Sequence, residues 1–380
     1  MENNISLKIL MPFVGDSVGG SHRSSIILYK TLRQNSLDVH ILLHESHGPL
    51  AKLLSEEGIP YYFLPVKVLA GTTPGLLSII SGIIRNFKRF SKFIQSHKFD
   101  IIHGNDLRIN LSWSVPSRIS GAKFIWHQRT ILSTSRLWKL IPYLCDHFIS
   151  ISAAVHSTIP SNLTENRSLI FNPFDIGAGE NRLKSREALL EKYSISNDQF
   201  IIGYVGRLVD YKNIDFILYS LSVMIERGEH EIHCVIAGTG SDKYIKEIHN
   251  LVHELDISQQ VTFMGFVSET DELIAGLDVL VAASSIDAFG RTLVEAMLQH
   301  TPVLAAAAGG HLEIVEDGVN GLLFSLDDQN DFSGKLLELL ENPDKRERIT
   351  ATAYGQACDR YSSAAHADSI VLIYDKLLSY

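Results

Sequence analysis

The stretch Phe200–Asn213, FIIGYVGRLVDYKN, decides the fold. Its first six residues are mostly apolar and predict a buried parallel strand, which ends at Gly206. Arg207 and Lys212 follow in the loop, ahead of an apolar stretch with helical spacing. A strand, a glycine-containing loop and a helix in this order are typical of a doubly wound α/β unit, where ligands bind beyond the carboxyl ends of the strands. The two cations can both reach a diphosphate, and the alternative is a solvated loop with incidental charges.

Outward from this stretch, apolar segments of strand length alternate with amphipathic segments of helical length. Each half of the chain carries its own series, so the sequence predicts two doubly wound, Rossmann-like α/β domains with parallel sheets. The predicted buried strands are Leu7–Met11, Val39–Leu43, Tyr61–Leu64, Ile101–His103, Lys123–Trp126, His147–Ser150, Phe200–Val205, His233–Ala237, Val261–Phe263, Val279–Ala282 and Pro302–Ala305.

The boundary between the domains is predicted at Phe171–Asp175, where Pro173 favours an extended conformation for the residue before it. This gives an N-terminal domain of residues 1–175 and a C-terminal domain of residues 176–360. Residues from about 361 to 380 are predicted to form a closing helix. The apolar face of that helix is assigned to Ile370, Leu372, Ile373, Leu377 and Leu378.

Composition excludes several classes of protein. No apolar run reaches the roughly 18 residues that span a bilayer, so an integral membrane protein is not expected. The first residues lack the basic and apolar regions of a secretory signal. Cys145, Cys234 and Cys358 form neither a disulfide framework nor a zinc-ligand pattern. A cytoplasmic location is therefore expected.

Charge is divided unevenly along the chain. Residues 1–175 hold 18 of the 34 Lys and Arg but only 11 of the 43 Asp and Glu. The basic N-terminal half could attract a phosphate-bearing acceptor or an anionic membrane surface, whereas the acidic C-terminal half argues against a nucleic-acid partner.

A second motif, Ser284–Met297, follows the predicted strand Val279–Ala282 and opens a helix. Gly290 permits close backbone approach, and the N–H groups of the next turn form an anion site aided by the helix dipole. Asp287 and Glu295 flank this turn and can hydrogen-bond sugar or ribose hydroxyls. In the alternative interpretation Asp287 is an N-cap and Glu295 is a solvated helix residue.

The N-terminal domain has residues suited to a ligand where its predicted strands end. Gly19 and Gly20 let backbone N–H groups approach a phosphate, and His22 is interpreted as a helix-terminus or acceptor-side residue rather than a metal ligand. His103 and His127 each end a strand, so both are expected to face a ligand cleft. The alternative is coincidence in a chain with 16 histidines.

The loop Gly206–Asn213, followed about 75 residues later by Asp287–Glu295, resembles the retaining glycosyltransferases of family 4. The pair of motifs is far more specific than either one alone. The likeness covers nearly the whole chain and is strongest from about Ile201 to Phe324. It also includes Gly19-Gly20, Asn172–Asp175, Gly265–Val267 and Gly309–Val315.

This resemblance implies the GT-B fold, in which two Rossmann-like domains face each other across an interdomain cleft. The C-terminal domain would hold the donor, and the N-terminal domain would hold the acceptor. The last helix, about residues 361–380, would return to the N-terminal domain and close it. The implied reaction is a retaining, metal-independent transfer from a nucleotide diphosphate sugar, such as a UDP- or GDP-sugar, to a glycan or lipid-linked glycan. No cofactor and no metal are expected, and the lack of a compact Asp-x-Asp pair agrees with that.

The resemblance also implies roles for individual residues. The catalytic residues would be His127, Arg207, Lys212 and Asp287. The donor site would comprise Gly19, Gly20, Arg207, Lys212, Phe266, Val267, Asp287, Ala288, Phe289, Gly290, Thr292, Leu293 and Glu295.

Within this site Arg207 and Lys212 would contact the diphosphate, and Glu295 would bind the ribose. The base would meet the backbone near Phe266 and Val267. Phe289 and Gly290 would border the transferred sugar together with Asp287, and His127 would touch it. The family usually has two glutamates where this chain has Asp287 and Glu295, so the shorter first acid is expected to tune sugar preference or reach.

Three rival functions remain at this stage. A sugar-nucleotide epimerase or hydrolase can share the fold, and it would turn over the donor without an acceptor. A non-catalytic protein would bind a sugar nucleotide without releasing the nucleoside diphosphate. A nicotinamide dehydrogenase is suggested by Gly238-Thr239-Gly240, but the third glycine of that fingerprint is missing.

The segment Pro74–Ile94 combines strong apolarity with Arg85, Lys88, Arg89 and Lys92. Such a helix can lie on a membrane, which would place the protein peripherally at the inner face. The alternative is a helix packed on the first sheet with its charges in water.

Overall fold

The computed structural model describes residues 7–73, 75–132, 141, 143–159, 166–177, 179–228 and 231–379. Met1–Asn4, Pro74 and Tyr380 therefore lie outside the described residues. The chain divides into two compact units. One consists of residues 1–175 and 361–380, and the other consists of residues 176–360.

The first unit is built on a seven-stranded, entirely parallel sheet. Its strands are β1 (Lys8–Phe13), β2 (Asp38–Leu43), β3 (Tyr61–Phe63), β4 (Ile101–Gly104), β5 (Lys123–Gln128), β6 (His147–Ser150) and β7 (Arg167–Leu169). The order across the sheet is β3-β2-β1-β4-β5-β6-β7. Its helices are α1 (Gly20–Gln34), α2 (Pro49–Glu56), α3 (Leu76–His97), α4 (Leu107–Ile119), α5 (Ala153–His156) and the C-terminal α14 (Ser363–Leu378).

Alternate strand residues point to opposite faces, so this sheet carries two cores. One face packs Ile125 and Ile149 against apolar residues of α1, α2 and α14. The other packs Phe124, Trp126 and Phe148 together with residues of α3 and α4. The C-terminal helix thus completes the hydrophobic core of the first unit.

The second unit has a six-stranded parallel sheet. Its strands are β8 (Phe200–Val205), β9 (Ile232–Ala237), β10 (Val261–Gly265), β11 (Val279–Ala282), β12 (Val303–Ala306) and β13 (Leu322–Phe324). Their order is β10-β9-β8-β11-β12-β13. The helices are α6 (Arg182–Tyr193), α7 (Ile214–Glu226), α8 (Asp242–Glu254), α9 (Thr270–Ala275), α10 (Arg291–Leu298), α11 (His311–Ile314), α12 (Gln329–Glu341) and α13 (Pro343–Tyr361).

The prediction of two Rossmann-like domains with parallel sheets is confirmed, with corrections in detail. The predicted strand Tyr61–Leu64 ends at Phe63 in the structure and is an edge strand rather than a buried one, with Phe63 49% exposed. On α14, Leu372 and Leu378 face solvent instead of the core. Their expected places are taken by other residues of the buried face, namely His366, Ala367 and Tyr374.

Strand order reverses once in each sheet, between β1 and β4 in the first unit and between β8 and β11 in the second. Loops that leave two such strands diverge to opposite faces of the sheet and open a crevice at the carboxyl edge. The loops after β8 and β11 contain both motifs of the second unit. Across the described part of the chain, no helix has the length and apolarity required to traverse a bilayer.

Candidate functional site

The two loops at the strand reversal of the second unit are tied together by hydrogen bonds. After β8 the chain forms a short 3-10 turn, Asp210–Lys212, and Asn213 then adopts a left-handed conformation with φ 50°. The Asn213 side chain donates to the carbonyl of Ala283 at 2.7 Å, and the Ser285 N–H donates to the carbonyl of Tyr211 at 3.0 Å. These bonds hold Lys212 beside the loop after β11.

Lys212 and Asp287 form an ion pair, with 2.6 Å between Nζ and Oδ2, and each side chain is 20% exposed. His311 Nε2 lies 3.6 Å from the same carboxylate oxygen. Burial acts to raise the pKa of Asp287, but the nearby His311 and the charge of Lys212 outweigh it and lower the pKa below its ordinary value. Asp287 is therefore an ionised carboxylate that is already engaged by a lysine.

The helix start after Asp287 depends on three glycines. Gly290 has φ 101°, a conformation that L side chains rarely adopt, and α10 begins at the next residue. The Gly310 N–H donates to the carbonyl of Asp287 at 2.9 Å, and a β-carbon on Gly310 would lie 2.5 Å from the carbonyl oxygen of Phe289. A β-carbon on Gly309 would lie 2.9 Å from the carbonyl oxygen of Asp287. The segment Gly309–His311 thus supports the loop that carries Asp287.

Helix α10 presents its first turn at this edge of the sheet. The first N–H groups of a helix have no acceptor within the helix, so they favour an anion there. Arg291 binds Glu295 one turn later, with Nε and Nη2 at 3.2 and 3.1 Å from Oε1. The Leu293 side chain is fully buried, and its N–H donates to the carbonyl of Gly290 at 3.1 Å. Leu293 therefore packs the helix, and Glu295 is held by a cation.

The loop after β9 explains the pair of glycines in Gly238-Thr239-Gly240. A β-carbon on Gly238 would lie 1.7 Å from the carbonyl oxygen of Gly206, and one on Gly240 would lie 2.0 Å from that of Leu208. The Leu208 N–H donates to the carbonyl of Thr239 at 2.8 Å. Both glycines let two loop backbones pack against each other, so they need no dinucleotide to account for them.

Two other predicted donor residues are open to solvent. Arg207 is exposed, and its Nη2 donates to the hydroxyl of Tyr211 at 2.8 Å. Phe266 follows β10 and is 75% exposed, whereas Val267 is half-buried. The Gly238 N–H donates to the carbonyl of Gly265 at 2.7 Å, which joins the loops after β9 and β10.

In the first unit, Gly19 caps α1, and its N–H donates to His22 Nδ1 at 3.2 Å. His22 is thus a helix-terminus residue, in agreement with its interpretation from the sequence. Asp16 and Arg108 form a two-pronged ion pair at 2.7 and 3.0 Å across the β1 and β4 loops. The loops on either side of this strand reversal are therefore joined by opposite charges.

His103 and His127 are fully buried, which corrects the expectation that both rings face a cleft. Each ring finds polar partners inside the unit: His103 Nε2 lies 3.1 Å from His127 Nδ1, and His103 Nδ1 lies 2.7 Å from the hydroxyl of Tyr374. These bonds allow polar rings to remain in the interior. Among the described residues, no group of three or more His, Cys, Asp or Glu side chains is placed to hold a metal ion.

Residues 185–356 match the model of the family described as Glycosyl transferases group 1. The match lies within the second unit and covers most of it. The chain is 29% identical over 204 residues to an uncharacterized glycosyltransferase of Methanocaldococcus jannaschii. The aligned region covers 53% of this chain and 50% of that protein. It is 25% identical over 245 residues to the capsular polysaccharide biosynthesis glycosyltransferase CapM of Staphylococcus aureus, covering 63% and 64%. The chain thus spans about half to under two thirds of the length of these relatives.

The crystal structure of Anabaena HepE in complex with UDP and glucose has the same two-domain fold. Its TM-score is 0.82 at 23% identity, and the superposition covers 98% of this chain and 100% of that one. At this identity the likeness shows the fold, which is GT-B.

Within the second unit, the structure brings together several of the residues that the sequence predicted. Lys212 touches Asp287, and Gly290, Thr292 and Glu295 belong to the helix start beside them. Phe289 is buried and Ala288 is half-buried in the same loop. Gly19, Gly20 and His127 belong to the other unit.

The sequence reasoning missed two side chains of this site. Arg291 binds Glu295, and a spacing of four residues within a helix was the signal for that pair. His311 was quoted only as part of a resembling run, and its contact with Asp287 arises from tertiary packing.

Proposed function

We propose that the protein is a retaining, metal-independent glycosyltransferase that moves a sugar from a nucleotide diphosphate sugar to a glycan or lipid-linked glycan. The observation that supports it best is the position of Lys212. Its ammonium lies beside Asp287, which belongs to the loop that leads into α10. Both residues lie at the strand reversal of the unit that matches the glycosyltransferase family model. That arrangement offers a cation and helix N–H groups to one anion.

The chemistry of the proposed step follows from charge. When the bond from the anomeric carbon to the phosphate oxygen breaks, negative charge grows on the leaving diphosphate and positive charge grows on the sugar ring. Lys212, Arg207 and the first N–H groups of α10 would stabilise that negative charge. By analogy with oxyanion holes, each such donor lowers the activation barrier by about 2.7–4 kcal/mol. A divalent ion would then be dispensable.

The remaining residues of the proposed site would each contact the part of the donor that matches their chemistry. Glu295, held by Arg291, would accept hydrogen bonds from the ribose hydroxyls, and Asp287 would accept one from the transferred sugar. The exposed Phe266 and the backbone at Val267 would meet the base. Gly19, Gly20 and His127 are assigned to the donor through the family resemblance, and the acceptor is assigned to the first unit in the same way.

The anomeric configuration would be retained if the acceptor attacks the sugar from the same face that the diphosphate leaves, with the departing phosphate taking the proton of the acceptor hydroxyl. Asp287 is the carboxylate that the site offers as a nucleophile, but it is bound by Lys212 and approached by His311. A carboxylate so engaged is a weak nucleophile, because its lone pairs already accept hydrogen bonds. We therefore assign it to hydrogen bonding rather than to covalent attack.

A thermal-shift panel of nucleoside diphosphates and their sugars tests this proposal first, because a ligand that binds only the folded state raises the melting temperature. Lys212→Ala should abolish the shift of the best ligand, whereas Lys243→Ala, at an exposed position of α8, should keep it. A full shift in Lys212→Ala would refute the site. Donor turnover without acceptor would indicate an epimerase or hydrolase, and binding without release of nucleoside diphosphate would indicate a non-catalytic protein.

The acceptor class and a membrane contact are proposed from helix α3. Its buried face consists of Gly82, Asn86, Phe90 and Ile94. On the exposed side, Leu77 is 83% and Ile84 is 69% exposed, in the half of the helix that precedes the exposed Arg85, Lys88, Arg89 and Lys92. Apolar side chains next to cations fit the interface of an anionic bilayer, where a lipid-linked acceptor would reside.

Liposome flotation tests the membrane contact. The protein should float with vesicles that contain anionic lipid, and it should no longer do so when Arg85, Lys88, Arg89 and Lys92 of α3 are all changed to Glu. Leu77→Ser combined with Ile84→Ser should also weaken flotation, while Lys243→Glu with Lys246→Glu in α8 should not. Equal flotation of all variants, or none by the wild type, would contradict the contact.

A further inference from the structure

His311 begins the short helix α11 and is buried beside the proposed diphosphate site. Its side chain is 1% exposed, and its Nδ1 lies 3.1 Å from the carbonyl oxygen of Ala306. Its Nε2 lies 3.6 Å from Asp287 Oδ2, the oxygen that Lys212 Nζ binds at 2.6 Å. Two nitrogens from separate loops therefore converge on one carboxylate oxygen, and all of these residues belong to the second unit.

The Ala306 carbonyl fixes one proton of the His311 ring. A carbonyl oxygen can only accept a hydrogen bond, so Nδ1 carries a proton whether the ring is neutral or charged. Nε2 is then the nitrogen that gains or loses a proton, being bare in the neutral ring and N–H in the imidazolium. At 3.6 Å it lies beyond hydrogen-bond distance of Asp287 Oδ2, although it faces that oxygen.

The two charges nearest to Nε2 act in opposite directions. Asp287 is ionised, and a carboxylate at this distance favours the imidazolium. Lys212 disfavours it, because a like charge opposes protonation. Lys212 Nζ, at 2.6 Å from Oδ2, cannot be more than about 6 Å from a nitrogen that is 3.6 Å from the same oxygen. The charge of His311 therefore depends on where the lysine ammonium lies.

Other charged residues approach α11 from two further helices. On α10, Arg291 binds Glu295, with 3.1 Å between Nη2 and Oε1. On α13, Arg360 lies against Glu313 of α11 itself, with Nη2 3.2 Å from the carbonyl oxygen of Glu313. Each of these contacts brings a cation to a residue that bears a carboxylate. The balance at Nε2 is therefore set by the carboxylate and the ammonium that lie nearest to it.

We infer that His311 is a positioning residue, which takes up a proton from solvent on Nε2 when a donor diphosphate draws Lys212 away from Asp287. The imidazolium then replaces the ammonium as the cation beside Oδ2, so Asp287 stays ionised and in place to accept a hydrogen bond from the transferred sugar. His311 acts through Asp287 and does not itself touch the donor. The inference rests on the proposed function, because it needs a diphosphate at Lys212.

Proton uptake has a measurable consequence for donor binding. Because binding favours the protonated ring, protonation of the ring must favour binding by the same factor. The affinity for the donor should therefore rise as the pH falls, by up to about tenfold per pH unit in the range where the free protein is neutral at Nε2 and the complex is protonated.

NMR titration of protein labelled with ¹⁵N-histidine tests the charge balance without any ligand. The signals of His311 are assigned with His311→Asn, and they should show Nδ1–H in the neutral ring. Lys212→Met removes the ammonium as the diphosphate would, so the midpoint of Nε2 protonation should move about 1–2 pH units higher. Asp287→Asn should move it lower. Lys243→Met, at an exposed position of α8, is the control and should leave it unchanged.

Two results of this titration would overturn the inference. One is a neutral ring of His311 that carries its proton on Nε2. The other is an unchanged midpoint in a folded Lys212→Met. If Lys212→Met does not fold, the direction of the change in Asp287→Asn decides instead, and a midpoint that stays or rises in that variant would count against the role of the carboxylate.

Calorimetry with UDP-glucose counts the protons exchanged on binding, when it is repeated in two buffers with different ionisation enthalpies. UDP-glucose is a suitable probe because its diphosphate is esterified at both ends and does not titrate near neutral pH. At a pH between the midpoints of wild type and Lys212→Met, the wild type should take up a fraction of a proton, up to one. His311→Asn keeps a nitrogen near the position of Nδ1 but lacks Nε2, so its uptake should vanish.

His253→Asn, at an exposed position of α8, is the matched control and should keep the uptake of the wild type. Binding of UDP-glucose without proton uptake, or uptake that persists in His311→Asn, would refute the inference. No binding of UDP-glucose by the wild type, together with the expected change of midpoint in Lys212→Met, would count against the proposed donor site and leave the link between Lys212 and His311 established.

Discussion

Asp287→Asn tests the balance of charge at the strand reversal. The substitution removes one negative charge, keeps the shape of the side chain and leaves Lys212 without its partner at 2.6 Å. In the proposed site a diphosphate would share Lys212 with Asp287, and the two anions would repel each other. We therefore expect the variant to bind the nucleoside diphosphate more tightly and to transfer sugar more slowly, since the sugar loses its hydrogen-bond acceptor.

The size of each effect can be estimated from the contacts. Two oxygens that both bind Lys212 Nζ lie at most about 5.5 Å apart, so the two charges interact by about 3 kcal/mol at an effective dielectric constant near 20 and by about 1–2 kcal/mol at physiological salt. Removing that repulsion should tighten binding roughly 5- to 30-fold. Losing a charged hydrogen bond should lower the free energy of unfolding by about 1.5–3 kcal/mol.

The stability loss depends on pH in a defined direction. The Asp287 pKa is held below the ordinary value of 3.8, so the carboxylate stabilises the fold at every pH above that value and loses its contribution as the pH falls further. The loss in free energy of unfolding caused by Asp287→Asn should therefore be complete at pH 7 and become smaller below about pH 4.

Calorimetry with the best nucleoside diphosphate of the panel, combined with urea unfolding at pH 7, measures both quantities. Asp317→Asn, which loses an exposed ion pair with Lys335 elsewhere in the same unit, is the control and should not change the affinity. Unchanged or weaker nucleotide binding by Asp287→Asn would refute the reasoning, because the carboxylate would then not oppose a bound diphosphate.

Three further changes have defined outcomes. Gly238→Ala should destabilise the fold by about 1–3 kcal/mol in urea unfolding, because its β-carbon would lie 1.7 Å from the Gly206 carbonyl oxygen. The control is Gly334→Ala, which has open space around it within α12 and should be neutral or stabilising. Glu295→Ala should remove the preference for UDP over 2′-deoxy-UDP in calorimetry, and a preference that survives would exclude the ribose contact. Burial lowers the pKa of His366 to about 3, so as the pH drops below 6.5 this histidine is protonated in the unfolded chain but not in the folded protein. Between pH 7.5 and 5.5 the free energy of unfolding should therefore fall by about 1.4 kcal/mol less in His366→Gln than in the wild type. Equal losses in the two proteins would show that His366 does not titrate as described.

The sequence predicted the central strands well because a strand buried on both faces is a continuous apolar run. His147–Ser150, Phe200–Val205 and Val279–Ala282 have the same bounds in the structure as in the prediction. Arg167–Leu169 and Leu322–Phe324 were not predicted. Each is a three-residue strand at a sheet edge, where pairing on one side suffices and the apolar pattern is too short to read.

The C-terminal helix shows the limit of periodicity. Its apolar residues predicted a helix, but Leu372 faces solvent at 71% exposure, while His366 and Tyr374 are buried. A polar side chain enters a core only if it finds a partner, and those partners are Phe171 and His103, hundreds of positions away in the chain. Single-sequence reasoning has no signal for such pairs.

The candidate site was predictable as a set of loops and not as a set of contacts. Two motifs that follow strands placed Lys212 and Asp287 at the same sheet edge, because strand order reverses between β8 and β11. The direct ion pair between them was not predicted, since it depends on the short turn that Asn213 anchors to Ala283.

A crystal structure with the best nucleoside diphosphate bound tests the central claim most directly. We predict diphosphate oxygens within hydrogen-bond distance of Lys212 Nζ and of the first N–H groups of α10, with the ribose at Glu295. A diphosphate bound elsewhere, with Lys212 still paired only to Asp287, would contradict the account.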